Sequence, residues 1–151
     1  MNALTHPASH QPALARVASD LHNARQSLER TLGVVRAHAQ LAADHQVIGK
    51  FGDLQIRIDV AAALLERAER IAAGTQDEAE KTIAVAEASI AIAEALAQVG
   101  QVELELTGQR PDWSPSHDPL QDPLHLKYRL IGDLRLNGVV PPSARSAVDV
   151  P

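Results

Sequence analysis

The amino-acid sequence predicts an all-α protein, an antiparallel four-helix bundle of three long helices and one short one. Three observations predict it. Apolar residues make up 45% of the 151 residues and aromatic residues only 2%, so a core has to be aliphatic and alanine-rich, which suits closely approaching helices better than a sheet sandwich. In three long segments the apolar residues return at steps of three and four, the period of one helix face. The connections between those segments are short, which makes consecutive helices antiparallel neighbours. A chain of this length corresponds to one domain and can bury roughly 70% of its unfolded surface. No repeat at solenoid spacing is present. An extended coiled coil is the structural competitor, and the short connections and a doubly apolar third helix argue against it.

Residues 1–11 are polar and read as a loose arm. The first helix, expected over 12–42, opens at Pro12, where a missing N–H costs nothing. Its stripe is Leu14, Val17, Leu21, Ala24, Leu28, Leu32, Val35 and Ala39. The second helix, over 45–73, carries Val47, Phe51, Leu54, Ile58, Ala61, Leu65, Ala68 and Ala72 on one face, and Gly74 stops it. Thr75 and Glu78 have the spacing of a capping box for a third helix over 76–106. That helix has two stripes, one of Ala79, Ile83, Ala86, Ile90, Ala93, Ala97, Gly100 and Leu104, the other of Val85, Ile92, Leu96, Val99 and Leu106. "GQRPDWSPSHDP" is a loop by its Gly, Pro and Ser content. Asp122 and Pro123 read as the start of a short fourth helix over 123–136, with Leu124, Tyr128, Ile131 and Leu134 inward. Asn137-Gly138 stops it. The bundle is thus expected over 12–142, and 143–151 form an extended tail.

Bulk composition excludes several functions. With 14 basic against 19 acidic residues, a net charge of −5 opposes binding to a phosphate backbone. Phe51, Trp113 and Tyr128 are the only aromatics, too few for a base-stacking platform. No Cys is present, which removes disulfides, thiolate metal sites and thiol nucleophiles. The first residues lack the basic and apolar regions of a signal peptide, and no apolar run approaches the ~20 residues of a bilayer span. The expectation is a cytoplasmic protein that binds neither nucleic acid nor membrane.

No motif supplies a catalytic constellation. His6 and His10 are separated by Pro7, and His22 and His38 lie too far apart along one helix to share a metal, so no metal site is expected. Glu80, Glu87 and Glu94, seven apart, fall on one face of the third helix and read as a solvated row. His117-Asp118 could be a base with its orienter, but in a Pro-rich loop they read first as turn formers. No Gly-rich phosphate loop or nucleophile elbow is present. "TGQR" at Thr107–Arg110 ends a helix; its glycine reads as a cap, and Arg110 could contact a phosphate.

Three segments, "FGDLQIRIDVAAALLERAERI" (Phe51–Ile71), "TGQR" (Thr107–Arg110) and "DPLHLKYRLIGDLRLNGVVPP" (Asp122–Pro142), resemble in order and separation the C-terminal helical domain of acyl-CoA dehydrogenase-like flavoproteins. The likeness is to the branch of flavin-dependent monooxygenases and sulfur-acquisition oxidoreductases that includes dibenzothiophene monooxygenase. It covers about 44–142. In that family the flavin lies between a β-domain and this bundle, and the bundles meet at the centre of a tetramer. This chain has room for the bundle only. Its "PDWSPSHDPLQ" is shorter than the corresponding family stretch and lacks that stretch's arginines, so no catalytic residue carries over. Weak cofactor-contact positions are Thr107, Gly108, Arg110 and Trp113.

The resemblance implies a stand-alone bundle that acts in subunit assembly or as the partner of a flavoprotein, without complete catalytic machinery. The alternatives are a flavin-dependent oxidoreductase or monooxygenase component, and a generic helical interaction protein. No cofactor is expected on the isolated chain; FMN or FAD would come with a flavoprotein partner. Because a bundle helix buries one stripe, the surplus stripe of the third helix, Val85, Ile92, Leu96 and Val99, is expected to form the interface of a homo-oligomer or heteromeric complex.

Overall fold

A computed structural model describes residues 10–144, which are mostly helical with no strand among them. The elements are α1 (Gln11–Arg36), α2 (Ala39–Ala43), α3 (His45–Ala73), α4 (Glu78–Thr107), α5 (Leu124–Asn137) and a 3-10 turn (Pro142–Ala144). Of the expected arm only His10 and Gln11 are described, and Gln11 already belongs to α1. Of the expected tail only 143 and 144 are described. They form a turn that packs on α4 rather than an extended strand of chain.

The expected first helix is two helices. Its break has a local cause: His38 leaves the helical region for an extended conformation, and its backbone N–H reaches back only to the Val35 carbonyl. The His38 ring Nδ1 lies 2.8 Å from the Val34 carbonyl oxygen, so the imidazole serves as the C-terminal cap that the backbone no longer supplies. Asp44 then caps α3, its carboxylate accepting from Gln46 and Val47 N–H.

Gly74 ends α3 in an extended conformation rather than a left-handed one. The start of α4 differs from the Thr75 expectation. Asp77 is the cap and accepts from the Glu80 N–H at 2.8 Å, the same Asx/Ser-type signal two residues later. Glycine's left-handed freedom is required at two places, Gly108 and Gly138, which close α4 and α5 with φ of 71° and 69°. The start of α5 also departs slightly, because the Asp122 carboxylate pairs with Lys127 instead of capping the helix.

α4 is the central element and touches α1, α3, α5 and the 3-10 turn. Cross-helix pairs give the directions. Lys50 with Glu105 and Arg67 with Glu87 make α3 antiparallel to α4. His10 with Glu78 and Arg30 with Glu103 make α1 parallel to it. Arg135 with Glu80 and Tyr128 with Glu94 lay α5 antiparallel along its N-terminal half. The main apolar cluster comes from the inner stripes of α1, α3 and α4, including Leu21, Leu28, Leu54, Ile58, Leu96 and Val99. Trp113 from the α4–α5 loop packs against its edge.

By length and composition α4 could cross a bilayer, unlike the expectation from apolar runs. More than half of that stretch is buried inside the chain, as in the core helix of a bundle. α5 is more weakly held. None of its residues is fully buried, and Tyr128, expected inward, is half exposed with its hydroxyl bound to Glu94.

Candidate functional site

The four residues expected to form the interface are part of the core. Val85, Ile92, Leu96 and Val99 are 8%, 2%, 1% and 1% exposed in the single chain and belong to its main apolar cluster. The physical reason is that α4 is packed by α1 and α3 along this side while α5 covers another, so both of its stripes have cover within one chain. Ile83, Ala86 and Ile90, from the other stripe, are buried as well but outside the main cluster. Helical spacing places them on the side of α4 from which Glu80 and Glu94 reach α5.

The glutamate row of α4 is not merely solvated. Glu80 accepts a bidentate pair of hydrogen bonds from Arg135 at 2.7 and 3.0 Å, Glu87 accepts from Arg67, and Glu94 accepts from the Tyr128 hydroxyl. The row is a seam that ties α4 alternately to α5 and α3. Arg135, hydrogen-bonded to it, holds the Glu80 carboxyl below its ordinary range. The hydrogen bond to Glu94 raises the Tyr128 hydroxyl above its own.

The weak cofactor positions do not converge. Thr107 and Arg110 line a recess of about 620 Å³ at the ends of α1 and α4, together with Arg30, Val34, His38 and Glu103. The Thr107 hydroxyl is engaged locally, donating to the Glu103 carbonyl and accepting from the Gln109 N–H. Gly108 is the α4 cap. Trp113 points elsewhere, into a different cavity beside α4. Asp118 behaves as a turn former: its carboxylate accepts from the Leu120 N–H at 2.9 Å, closing the turn before α5. Among the described residues no three His, Asp or Glu side chains are grouped as a metal site.

Two buried polar contacts escaped sequence reasoning. Glu103 is 6% exposed, yet its carboxylate accepts from Ser27 and from Arg30, and Arg30 continues to Asp112 at 3.2 Å. Asp20, 3% exposed, accepts from both the backbone N–H and the hydroxyl of Ser116 and thereby fastens the α4–α5 loop to α1. Asp20 and Arg30 lie off the apolar stripe of α1. The one available signal was that Asp20, Ser27 and Thr31 also recur at helical spacing on a neighbouring face; it names no partner. Both contacts satisfy buried groups that would otherwise cost about 1–3 kcal/mol each.

Uncovered apolar side chains lie on and beside α5, where Leu120, Leu126 and Leu136 are 88%, 49% and 85% exposed, and on the outer face of α3. Ile48, Ile56 and Val60 are 54%, 64% and 51% exposed. Ile56 and Val60 sit four apart on the face opposite the buried Leu54, Ile58 and Leu65, and Ile48 flanks them two turns below Ile56. Gly49, Gly52 and Ala63 are exposed on the same side. At Gly49 and Gly52 a Cβ would meet nothing within 4 Å, so no side chain among the described residues approaches there. Asp53 and Arg57 edge the face as an ion pair of 2.8 Å. An α3 with such an outer face is apolar on two sides and packed on one.

The described residues thus define an all-helical, bundle-like protein. No family model, curated protein or solved structure matches it. The likeness to the flavoprotein bundle therefore rests on the quoted sequence segments.

Proposed function

We propose that this protein is an assembly module: a helical bundle of the acyl-CoA dehydrogenase C-terminal type, with α5 as its short fourth helix, that pairs with a second copy of itself through the outer face of α3. The observation that carries this reading is the exposure of Ile48, Ile56 and Val60 on one side of a helix whose other side is fully packed. Scattered exposed apolar residues need no explanation, and α5 carries some as well; on α3 they share a side with two exposed glycines that let another helix approach closely, which favours a helical partner there. FMN or FAD would enter only with a flavoprotein partner, the alternative occupant suggested by the sequence segments.

Sedimentation velocity across a concentration series tests the reading. A dimer or larger assembly that the double substitution Ile56→Glu/Val60→Glu returns to monomer, with unchanged helical circular dichroism, is the expected result. A monomer at every concentration, or an oligomer indifferent to the double substitution, overturns it. Flavin that co-purifies in stoichiometric amount with the isolated chain would overturn the non-catalytic part.

A further inference from the structure

α4 buries two separate patches. Ile92, Leu96 and Val99 belong to the main cluster that α4 builds with α1 and α3. Ile83, Ala86 and Ile90 are 0%, 7% and 7% exposed but stand outside that cluster. At about 100° per residue, Ile83 and Ile90 lie about half a turn round the helix from Ile92 and Val99. The element on that side is α5, tied there by Arg135 to Glu80 and by Tyr128 to Glu94. The 3-10 turn after it also rests on α4. Among the described elements α5 touches α4 alone, and none of its own residues is fully buried. Lifting α5 would uncover one face of α4 and leave the main cluster whole.

The attachments of α5 are of the kind that open easily. The Arg135–Glu80 pair is open to solvent and Tyr128 is half exposed, and exposed ion pairs contribute little in water. The side chains that α5 turns toward α4, Leu124, Ile131 and Leu134, are only partly buried. Segments with few fully buried contacts open at lower free energy than the core they rest on. The connection allows the movement. Asp20 pins the loop to α1 at Ser116, and residues 117–123, between that anchor and α5, contain no helix or strand. Seven residues span at most about 25 Å when extended, enough to carry α5 off its stripe while the Asp20–Ser116 contact stays closed.

We propose that α5, with the turn that follows it, is a strap that opens from an intact three-helix core, and that the stripe it uncovers accepts the α5 of a second copy. The surface itself names this occupant. Glu80 and Glu94 flank Ile83, Ala86 and Ile90, and they match Arg135 and Tyr128 on an α5 that brings Leu124, Ile131 and Leu134 between them. A second copy carries the same set, and exchange of an identical element reuses every contact. In the resting chain α5 stays on its own α4, because a short tether holds it at an effective concentration on the order of millimolar. Exchange emerges when the contact within one chain is weakened. The stripe is separate from the outer face of α3, and the strap does not rest on the pairing proposed there.

The test reverses one charge in each of two full-length chains, both carrying Ile56→Glu/Val60→Glu so that pairing through α3 is removed. Glu80→Arg sets a cation against Arg135, and Arg135→Glu sets a carboxylate against Glu80, so each variant repels its own α5. In a one-to-one mixture each α5 meets its opposite charge only on the other chain. Native mass spectrometry separates the mixed dimer from the two like dimers. The expected result is a mixed dimer at least about tenfold above either like dimer. Hydrogen-exchange protection of α5 amides should be low in each variant alone and rise in the mixture, while that of main-cluster amides in α1, α3 and α4 stays within about twofold. The double variant Glu80→Arg/Arg135→Glu restores the pair within one chain and should be monomeric with α5 protected. A mixture that stays monomeric, or dimers in statistical proportions, overturns the exchange. Loss of protection in α5 and the main cluster together overturns the strap, since α5 would then open only with the core; unchanged α5 protection in both variants overturns the assigned hold. Should a charge reversal abolish helical circular dichroism, Arg135→Ala only deletes the pair, and the strap stands or falls on whether α5 alone loses protection there.

Discussion

α3 and α4 are close to equal in length, 29 and 30 residues, and both are rich in alanine and branched aliphatics, but they are opposite in what surrounds them. α4 has no exposed residue from Glu78 to Ala93, because α1, α3 and α5 stand on three sides of it. α3 buries one face against α1 and α4 and leaves Ile48, Ile56 and Val60 in the open. The helix with the more apolar sequence is therefore the one whose apolar surface is satisfied, and the more amphipathic helix carries the surplus. A second stripe on a helix means two neighbours, and the neighbours can come from the same chain.

Substitution with glutamate breaks this comparison most sharply. Leu96→Glu should unfold the protein: the site is 1% exposed, losing a buried leucine costs about 2–5 kcal/mol, and an unpaired buried carboxylate adds to that. Thermal and urea denaturation followed by circular dichroism measure the loss. Ile56→Glu, compared with the unsubstituted chain at a protein concentration low enough for both to be monomeric, should change stability by no more than about 0.5 kcal/mol. If the two variants proved equally stable, the division into a packed α4 and an open α3 would be wrong.

A smaller effect is expected where α1 holds the rest of the molecule. Asp20→Ala removes the acceptor of the Ser116 N–H and hydroxyl and should cost about 1–3 kcal/mol. It should also change the emission of Trp113, which shares the loop with Ser116. Arg30→Ala leaves Glu103 buried with Ser27 alone and should cost more than Arg57→Ala, because the Arg57–Asp53 pair is exposed on both sides and such pairs contribute about 0–1 kcal/mol. Equal losses from Arg30→Ala and Arg57→Ala would show that the buried carboxylate needs no partner.

The smallest effect is electrostatic and sits on the α4–α5 seam. The Glu80 carboxyl, bound by Arg135, is held below its ordinary value of 4.5. A group with a depressed folded pKa contributes stability above its unfolded value and loses it as pH falls through the folded one. The contribution should thus be complete at neutral pH and fade below about 4.5. Tyr128 acts in the opposite range: its raised value, caused by the hydrogen bond to Glu94, gives a contribution present below the ordinary value of 10.0 and lost at higher pH. The protection of α5 amides, taken relative to their intrinsic exchange rate at each pH, should therefore fall toward both the acid and the alkaline side before that of α3 and α4. Glu80→Gln should flatten the acid limb only, and an acid limb unchanged in that variant would place the titrating group elsewhere.

Much of the helical content was legible in the residues, because periodicity and caps are local. The inner stripe of α3, the stop at Gly108 and the turn at Asp118 are set by residues a few positions apart. The break at Ala37–His38 was not legible, since alanines flank it and the cap is a histidine side chain turned back on its own helix. The Asp77 cap was read two residues early because Thr75 offers the same chemistry. Long-range matters stayed hidden for a different reason. Glu103 and Asp20 look like surface residues in any local window, and their burial depends on Ser27 and Ser116, 76 and 96 positions away. By itself the sequence determined an all-helical chain, the inner faces of its long helices and most of their ends. Only the tertiary structure decided that Val85, Ile92, Leu96 and Val99 are core while Ile48, Ile56 and Val60 remain outside, because amphipathic spacing says which faces are apolar and not how many neighbours arrive to cover them.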